Sequence, residues 1–386
     1  MGTRYRRVAA LALLATLTGC AGSTGSTGST STGSSSAASP APAGPTSSGT
    51  PPPATADWPT YHGNAQRTGA VADLPAAGKL FIRWSRHLDG AVYGQPLIIG
   101  NTVIAATESN TVYGLSRASG RVLWSVQAAS GQPVPLSDQP CGDISPLGIT
   151  GTPVYDPATG LAYVVAETSA GQKVMAGIKV SDGTVAMRRV IPAPDGHAAY
   201  DQQRGALALA SGRIYVVFGG HFGDCGPYRG SIAGVPASGD GPIVSYVIPT
   251  VKQAGIWAPG GPVVSPWGTI YVASGNGAAF KPPFDGSDSV IALSPRLQRI
   301  GVFAPRRWPE DNSGDLDLGS SSPALLPGGR ILQVGKSTLG YLLNAHHLGG
   351  VGGQLAEGQV CASFGGPAVS CGCGTCSTPR SATTKR

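Results

Sequence analysis

A chain of 386 residues with 58 Gly, 33 Pro and only 12% charged residues excludes an architecture of long amphipathic helices, because Gly and Pro are the two poorest helix formers. The formal charge of +7 points to a polyanion partner only until it is located: Arg4, Arg6, Arg7, Arg380, Lys385 and Arg386 lie at the ends and leave 21 bases against 20 acids between them. A body so nearly neutral excludes the clustered basic face that nucleic acid requires.

In chain order, residues 1–20 have the form of an export signal: Arg4, Arg6 and Arg7, an apolar run from Val8 to Leu17, then Thr18-Gly19-Cys20. The run is too short to span a membrane as a helix. Leu17-Thr18-Gly19-Cys20 resembles a bacterial lipobox, which implies lipidation at Cys20 and a membrane partner through that anchor. Residues 21–56 are Ser, Thr, Gly, Pro and Ala without charge, a composition that cannot offset its ordering entropy. They predict a tether of roughly 30 Å root-mean-square length at about 5–6 Å times √n, holding the following domain at the outer face of the cytoplasmic membrane.

From Asp57 onward the informative feature is a repeat. Its clearest copy starts at Gly94-Gln95-Pro96-Leu97-Ile98-Ile99, turns at Gly100-Asn101, continues through Thr102-Val103-Ile104-Ala105-Ala106 and 110–115, and ends at Gly120-Arg121-Val122-Leu123-Trp124. Each run has strand length, is rich in apolar and β-branched residues, and is bounded by turn formers. The pattern returns from Gly151-Thr152-Pro153, in weaker form from Gly205-Ala206-Leu207, then from Gly261-Pro262-Val263 and Ser322-Pro323-Ala324, with a sixth start at Gly366-Pro367-Ala368. Pro96 and Pro367 are 271 residues apart over five steps, about 54 per step, longer than the roughly 40–50 of other blade repeats. Asp156, Asp182 and Asp240 fall between outer strands and are expected to form turns.

The unit Gly-x-Pro, then Gly-x-apolar-Tyr, then Gly-x-x-x-Trp resembles the pyrroloquinoline-quinone repeat, shared by quinoprotein dehydrogenases and by non-catalytic propellers of the outer-membrane assembly lipoprotein type. Asp57-Trp58-Pro59-Thr60-Tyr61-His62-Gly63-Asn64 with Arg67-Thr68-Gly69 is similar to the opening segment of that family. The resemblance implies an all-β fold over residues 57–370, a β-propeller of four-stranded blades. Five blades are complete and a sixth is a fragment, as in a truncated relative of a seven- or eight-bladed parent. It also implies that Trp124 docks between blades, with Met187, Tyr246 and Phe303 replacing it in later copies. Residues 81–86, around Trp84, are expected to form an outer strand in need of a partner blade, and 371–386 a disordered or aberrant tail.

Cysteines in an exported chain can pair. Cys141 and Cys225 sit in long Gly-containing loops of neighbouring blades and are expected to form a staple; Cys371, Cys373 and Cys376 have metal-like spacing but no further ligand to complete four. Three stretches resemble the quinoprotein site. Ser274-Gly275-Asn276-Gly277 matches the segment whose Asn binds the metal, and Phe222-Gly223-Asp224-Cys225-Gly226 matches the segment of its acidic ligand, with Asp in place of Glu. Asp315-Leu316-Asp317-Leu318-Gly319 matches the loop of the catalytic Asp. The resemblance thus implies Asp317 as catalytic base, Lys336 and Trp257 as cofactor contacts, and Asn276 and Asp224 as Ca²⁺ ligands. His62, His197 and His221 are given no role.

Against catalysis stand the lack of an adjacent Cys-Cys pair and of a Cys-x-x-Cys-His haem site. Two functions remain open. One is a monomeric, envelope-anchored propeller that binds a protein, peptide or glycan at the mouth of its channel; the other is a quinone- and Ca²⁺-dependent alcohol or sugar dehydrogenase. A decayed product without activity is the third outcome that the abrupt tail allows.

Overall fold

The computed structural model describes residues 57–71 and 78–360. The lipobox with Cys20, the tether, the sixth repeat start, and Cys361, Cys371, Cys373 and Cys376 lie outside the described residues.

Among the described residues five antiparallel sheets follow one another along the chain. The first comprises Leu97–Ile99, Thr102–Ala106, Thr111–Ser116 and Val122–Gln127. The second comprises Val154–Asp156, Leu161–Glu167, Lys173–Lys179 and Val185–Ile191. The third is Ala208–Ala210, Arg213–Gly220, Ser231–Pro236 and Val244–Val247, and the fourth Val263–Val264, Ile270–Ala273, Val290–Leu293 and Arg299–Ala304. The fifth is Ala324–Leu326, Arg330–Val334, Leu339–Asn344 and Ala356–Gln359. Two short strands extend this plan. Asp201–Gln202 pairs with Arg213–Gly220, and Gly350–Val351 adds in parallel to Arg299–Ala304.

The repeat folds as meanders because its turns are short and rich in Gly, while its strands carry apolar side chains on both faces. Leu161–Glu167 is buried along its whole length, whereas the outer strand Val185–Ile191 alternates between half-buried and exposed positions. Such a gradient arises when inner strands are covered on both faces by neighbouring sheets.

Four apolar clusters lie between successive sheets. Ile104 and Val112 of the first meet Val164 and Ile178 of the second; Val165 and Met175 of the second meet Ile214 and Val216 of the third. Tyr215 and Val217 of the third meet Ile270 and Val272 of the fourth, and Tyr271 and Phe303 of the fourth meet Tyr341 and Leu343 of the fifth. Neighbours in sequence such as Val164 and Val165 therefore serve opposite interfaces, as the period of two in a strand requires. Each fully buried side chain of this kind contributes about 1.5–3 kcal/mol. Face-to-face succession of four-stranded meanders is the propeller architecture.

A hydroxyl ladder tightens three of these interfaces. Tyr163 donates to the carbonyl of Ala237 at 2.9 Å, Tyr215 to Pro295 at 2.8 Å and Tyr271 to Ala345 at 2.7 Å. Each occupies the Tyr of the repeat and reaches the last turn of the next sheet. The opening segment adds a stitch across the innermost strands. The backbone of Trp58 pairs with Ile98 of the first sheet, and Pro59 accepts from the Tyr155 amide of the second at 2.8 Å. Arg67 donates to the Leu207 carbonyl beside the third sheet at 2.8 Å, and Gln66 to the Val264 carbonyl of the fourth at 3.0 Å.

The expected outer strand at 81–86 does not form. These residues pair with no sheet among the described residues, and Leu80, Phe81 and Ile82 are more than four-fifths exposed. Trp84 nonetheless sits where an outer-strand tryptophan belongs, over Gly120, with Nε1 donating to the Arg117 carbonyl at 2.9 Å. The segment keeps its docking contact because that contact is with the next sheet and needs no partner of its own. Asp156 and Asp182 do cap turns through Ala158, Thr159 and Thr184, though Asp156 does so between the two inner strands of its sheet and not between outer ones, whereas Asp240 donates its amide to the Ser238 hydroxyl.

Candidate functional site

The loops that leave the inner strands of the third, fourth and fifth sheets converge on a cavity of about 550 Å³, within the size range of small-ligand sites. Asp224, Trp257, Asn276, Asp317 and Lys336, scattered over more than a hundred residues, all line it. Arg204, His221, Phe222, Tyr228 and Asp315 complete much of the wall.

At its floor Asp317 is almost fully buried and accepts the Asn276 amide at 2.7 Å, while its other oxygen pairs with Lys336 Nζ at 2.6 Å. Lys336 also reaches Asp315 at 3.0 Å. Burial raises the Asp317 carboxyl above the ordinary range, and the Lys336 charge opposes that rise. For Lys336 burial acts downward, but Asp317 and Asp315 together outweigh it and hold the ammonium above its ordinary value. Gly275 is required here, since Asp317 Oδ1 and the Trp257 indole nitrogen occupy the place a Cβ would take.

The Trp257 ring carries two cations, Arg204 with its guanidinium carbon 5.3 Å from the centroid and Lys336 with Nζ at 5.9 Å, each distance within the reach of a cation–π attraction. On the opposite wall Asp224 sits at φ 51° and accepts the Tyr228 hydroxyl at 2.5 Å. Burial and then the Asp224 charge push the Tyr228 phenol well above its ordinary value, which keeps it a donor. A disulfide between Cys141 and Cys225, with Cα atoms 6.2 Å apart, ties this wall to the loop that precedes the second sheet.

No local motif assigns a role to His221, yet it is 95% buried and lines both this cavity and a neighbouring one of about 300 Å³. Burial lowers its imidazole below the ordinary value, which favours the neutral form. Arg204 was also missed. A lone Arg before Gly205 carries no motif, and only the three-dimensional approach to Trp257 reveals it.

The donor set does not fit a Ca²⁺ ion. Such an ion takes about six to eight oxygen ligands, several from carboxylates. Asp317 is committed to Lys336 and an amide, and among the described residues no three His, Cys, Asp or Glu side chains gather as a metal would need.

Two solved structures with TM-scores above 0.5 share the fold. Among solved structures, the quinohemoprotein alcohol dehydrogenase ADHIIG from Pseudomonas putida HK5 superposes with a TM-score of 0.60 at 15% identity, over 79% of this chain and 48% of that one. A europium-containing methanol dehydrogenase gives 0.56 at 14% identity, over 79% of this chain and 58% of that one. BamB from Moraxella catarrhalis gives 0.43 at 14% identity, over 72% and 64%. The chain spans about half to just under two thirds of the length of these structures. No curated protein sequence matches it significantly. The family described as outer membrane protein assembly factor BamB matches residues 22–225, just over half of the chain. With its quinone-type repeat folded as a succession of four-stranded meanders, the chain belongs to that BamB-like propeller family.

Proposed function

We propose that this chain is a ligand-binding propeller of the bacterial cell envelope, held to the outer face of the cytoplasmic membrane by lipid at Cys20. Its ligand seats in the cavity around Trp257. The observation that carries this reading is the internal commitment of Asp317. A catalytic base must be free to take a proton from the substrate, and Asp317 spends both oxygens on Lys336 and the Asn276 amide. The membership of the BamB-like family supports a location in the envelope.

A second reading, an alcohol or sugar dehydrogenase using pyrroloquinoline quinone and Ca²⁺, draws support from the convergence of Trp257, Asn276, Asp224, Asp317 and Lys336 on one cavity. Spectroscopic titration separates the two. The binding reading expects no Ca²⁺-dependent quinone absorbance and no dye reduction with alcohols or sugars. Quinone uptake that needs Ca²⁺, with turnover abolished by Asp317→Ala, overturns it. For the anchor, Cys20→Ser should release the chain from washed membranes.

A further inference from the structure

The cavity carries an imbalance that the fold itself leaves unmet. Arg204 presents a guanidinium with five donor hydrogens, yet among the described residues it makes no hydrogen bond. Its companions are the Trp257 ring and the charge of exposed Asp143. Lys336, the other cation of the wall, is already paired with Asp315 and Asp317. A half-buried guanidinium without acceptors is a strong site for an oxyanion, because its planar fork matches a carboxylate in two parallel hydrogen bonds.

The rest of the wall narrows the ligand further. Asp224 and Asp315 are exposed carboxylates that each hold one partner, Tyr228 and Lys336. Both retain acceptor capacity that the hydroxyl donors of a ligand can use. A bare inorganic anion would meet three aspartates in this wall and offer them nothing. A neutral sugar would satisfy the aspartates and leave Arg204 unpaired. Phe222, 65% exposed at the cavity, supplies an aromatic face whose negative π cloud attracts C–H groups. One acidic group, several hydroxyl donors and a C–H face together describe a single class of ligand.

We propose that this cavity takes an acidic sugar, with its carboxylate on Arg204, its hydroxyls donating to Asp224 and Asp315, and its ring against Phe222. The proposal rests on the binding reading above. It goes further by naming the ligand class and the residue that selects it.

The test is calorimetry on the purified full-length chain with sodium D-glucuronate, D-glucuronamide, D-glucose, sodium sulfate and a capped Gly-Glu-Gly peptide. The ¹⁵N indole signal of Trp257, assigned with Trp257→Phe, reports occupancy of the cavity. Glucuronate should bind at least about tenfold more tightly than the amide or glucose, the loss expected when one charge-assisted bidentate pair is removed. It should also move the Trp257 signal. Arg204→Gln should bring glucuronate down to the level of the amide; the comparison of acid with amide on the unaltered chain stands even if that variant folds poorly. Equal binding of acid and amide, tighter binding of sulfate or of the peptide, or no movement of the Trp257 signal by glucuronate overturns the acidic-sugar assignment. Movement of that signal by another of these ligands leaves the binding reading intact. Failure of the binding reading is seen separately, in Ca²⁺-dependent quinone uptake and turnover.

Discussion

The Trp124 indole lies against Gly183 of the following sheet and donates through Nε1 to the Val180 carbonyl at 3.0 Å. Trp84 repeats the arrangement one sheet earlier, with Gly120 and Arg117 at the same spacing. Both glycines have positive φ, 78° at Gly183 and 68° at Gly120, and a Cβ on Gly183 would come within 2.7 Å of the indole. Trp124→Ala should therefore cost about 2–4 kcal/mol, below the range for a fully buried Trp because this ring is half-buried. Gly183→Ala should cost about 1–3 kcal/mol, since it both strains the backbone and displaces the ring. Urea unfolding followed by tryptophan fluorescence measures both.

Tyr215→Phe removes the hydroxyl that reaches Pro295 and leaves a carbonyl unpaired between the third and fourth sheets. A loss of about 1–2 kcal/mol is expected. Tyr271→Phe, which frees the Ala345 carbonyl, should lose a similar amount. The two losses should add nearly fully, because the residues act at different interfaces.

Arg67 is 6% exposed and bonds Thr60, the Tyr61 carbonyl and the Leu207 carbonyl. Burial lowers its guanidinium to about 10, with Tyr61 opposing the shift. Arg67→Met should cost at least about 2 kcal/mol, since it removes three hydrogen bonds and leaves buried acceptors without a donor. Faster amide exchange at Leu207 and Tyr155 would show that the stitch across the innermost strands had loosened.

Burial, then the neighbouring Asp195 charge, pushes the Asp201 carboxyl up to about 9 from its ordinary 3.8, with Lys173 opposing and Glu167 adding to the rise. The folded chain thus keeps a proton that the unfolded chain releases above pH of about 4. The stability this group contributes is complete below its unfolded value and is lost as pH rises toward about 9. Asp201→Asn should flatten that slope and raise the melting temperature at pH 8 by at least about 2 °C. Thermal unfolding at pH 5, 7, 8 and 9 checks it; an unchanged slope would count against a protonated Asp201.

Much of the fold was legible because the repeat is a physical unit. Pro-apolar starts, the Tyr that reaches the next sheet and the Gly120 to Trp124 spacing all mark backbone geometry that few other residues satisfy. The five residues singled out for the site also meet in one cavity. What escaped the sequence was of another kind. Arg204 and His221 matter through what lies near them in space, and nothing in their local sequence distinguishes them from surface residues. Segment 81–86 has the composition of a strand, but strand formation needs a hydrogen-bonding neighbour, and composition does not say whether one exists.

The stitch made by residues 58–67 also bears on the order of folding. Each meander closes over a few dozen residues and can form as soon as it is complete. The bond from Gln66 to Val264 spans 198 positions, so Gln66 must wait for the fourth sheet before it docks, although Trp58 can pair with Ile98 as soon as the first sheet has emerged. Loop closure over such a distance slows folding. The stitch across the innermost strands is accordingly complete only when the fourth sheet is in place, and until then part of that edge stays open to aggregation.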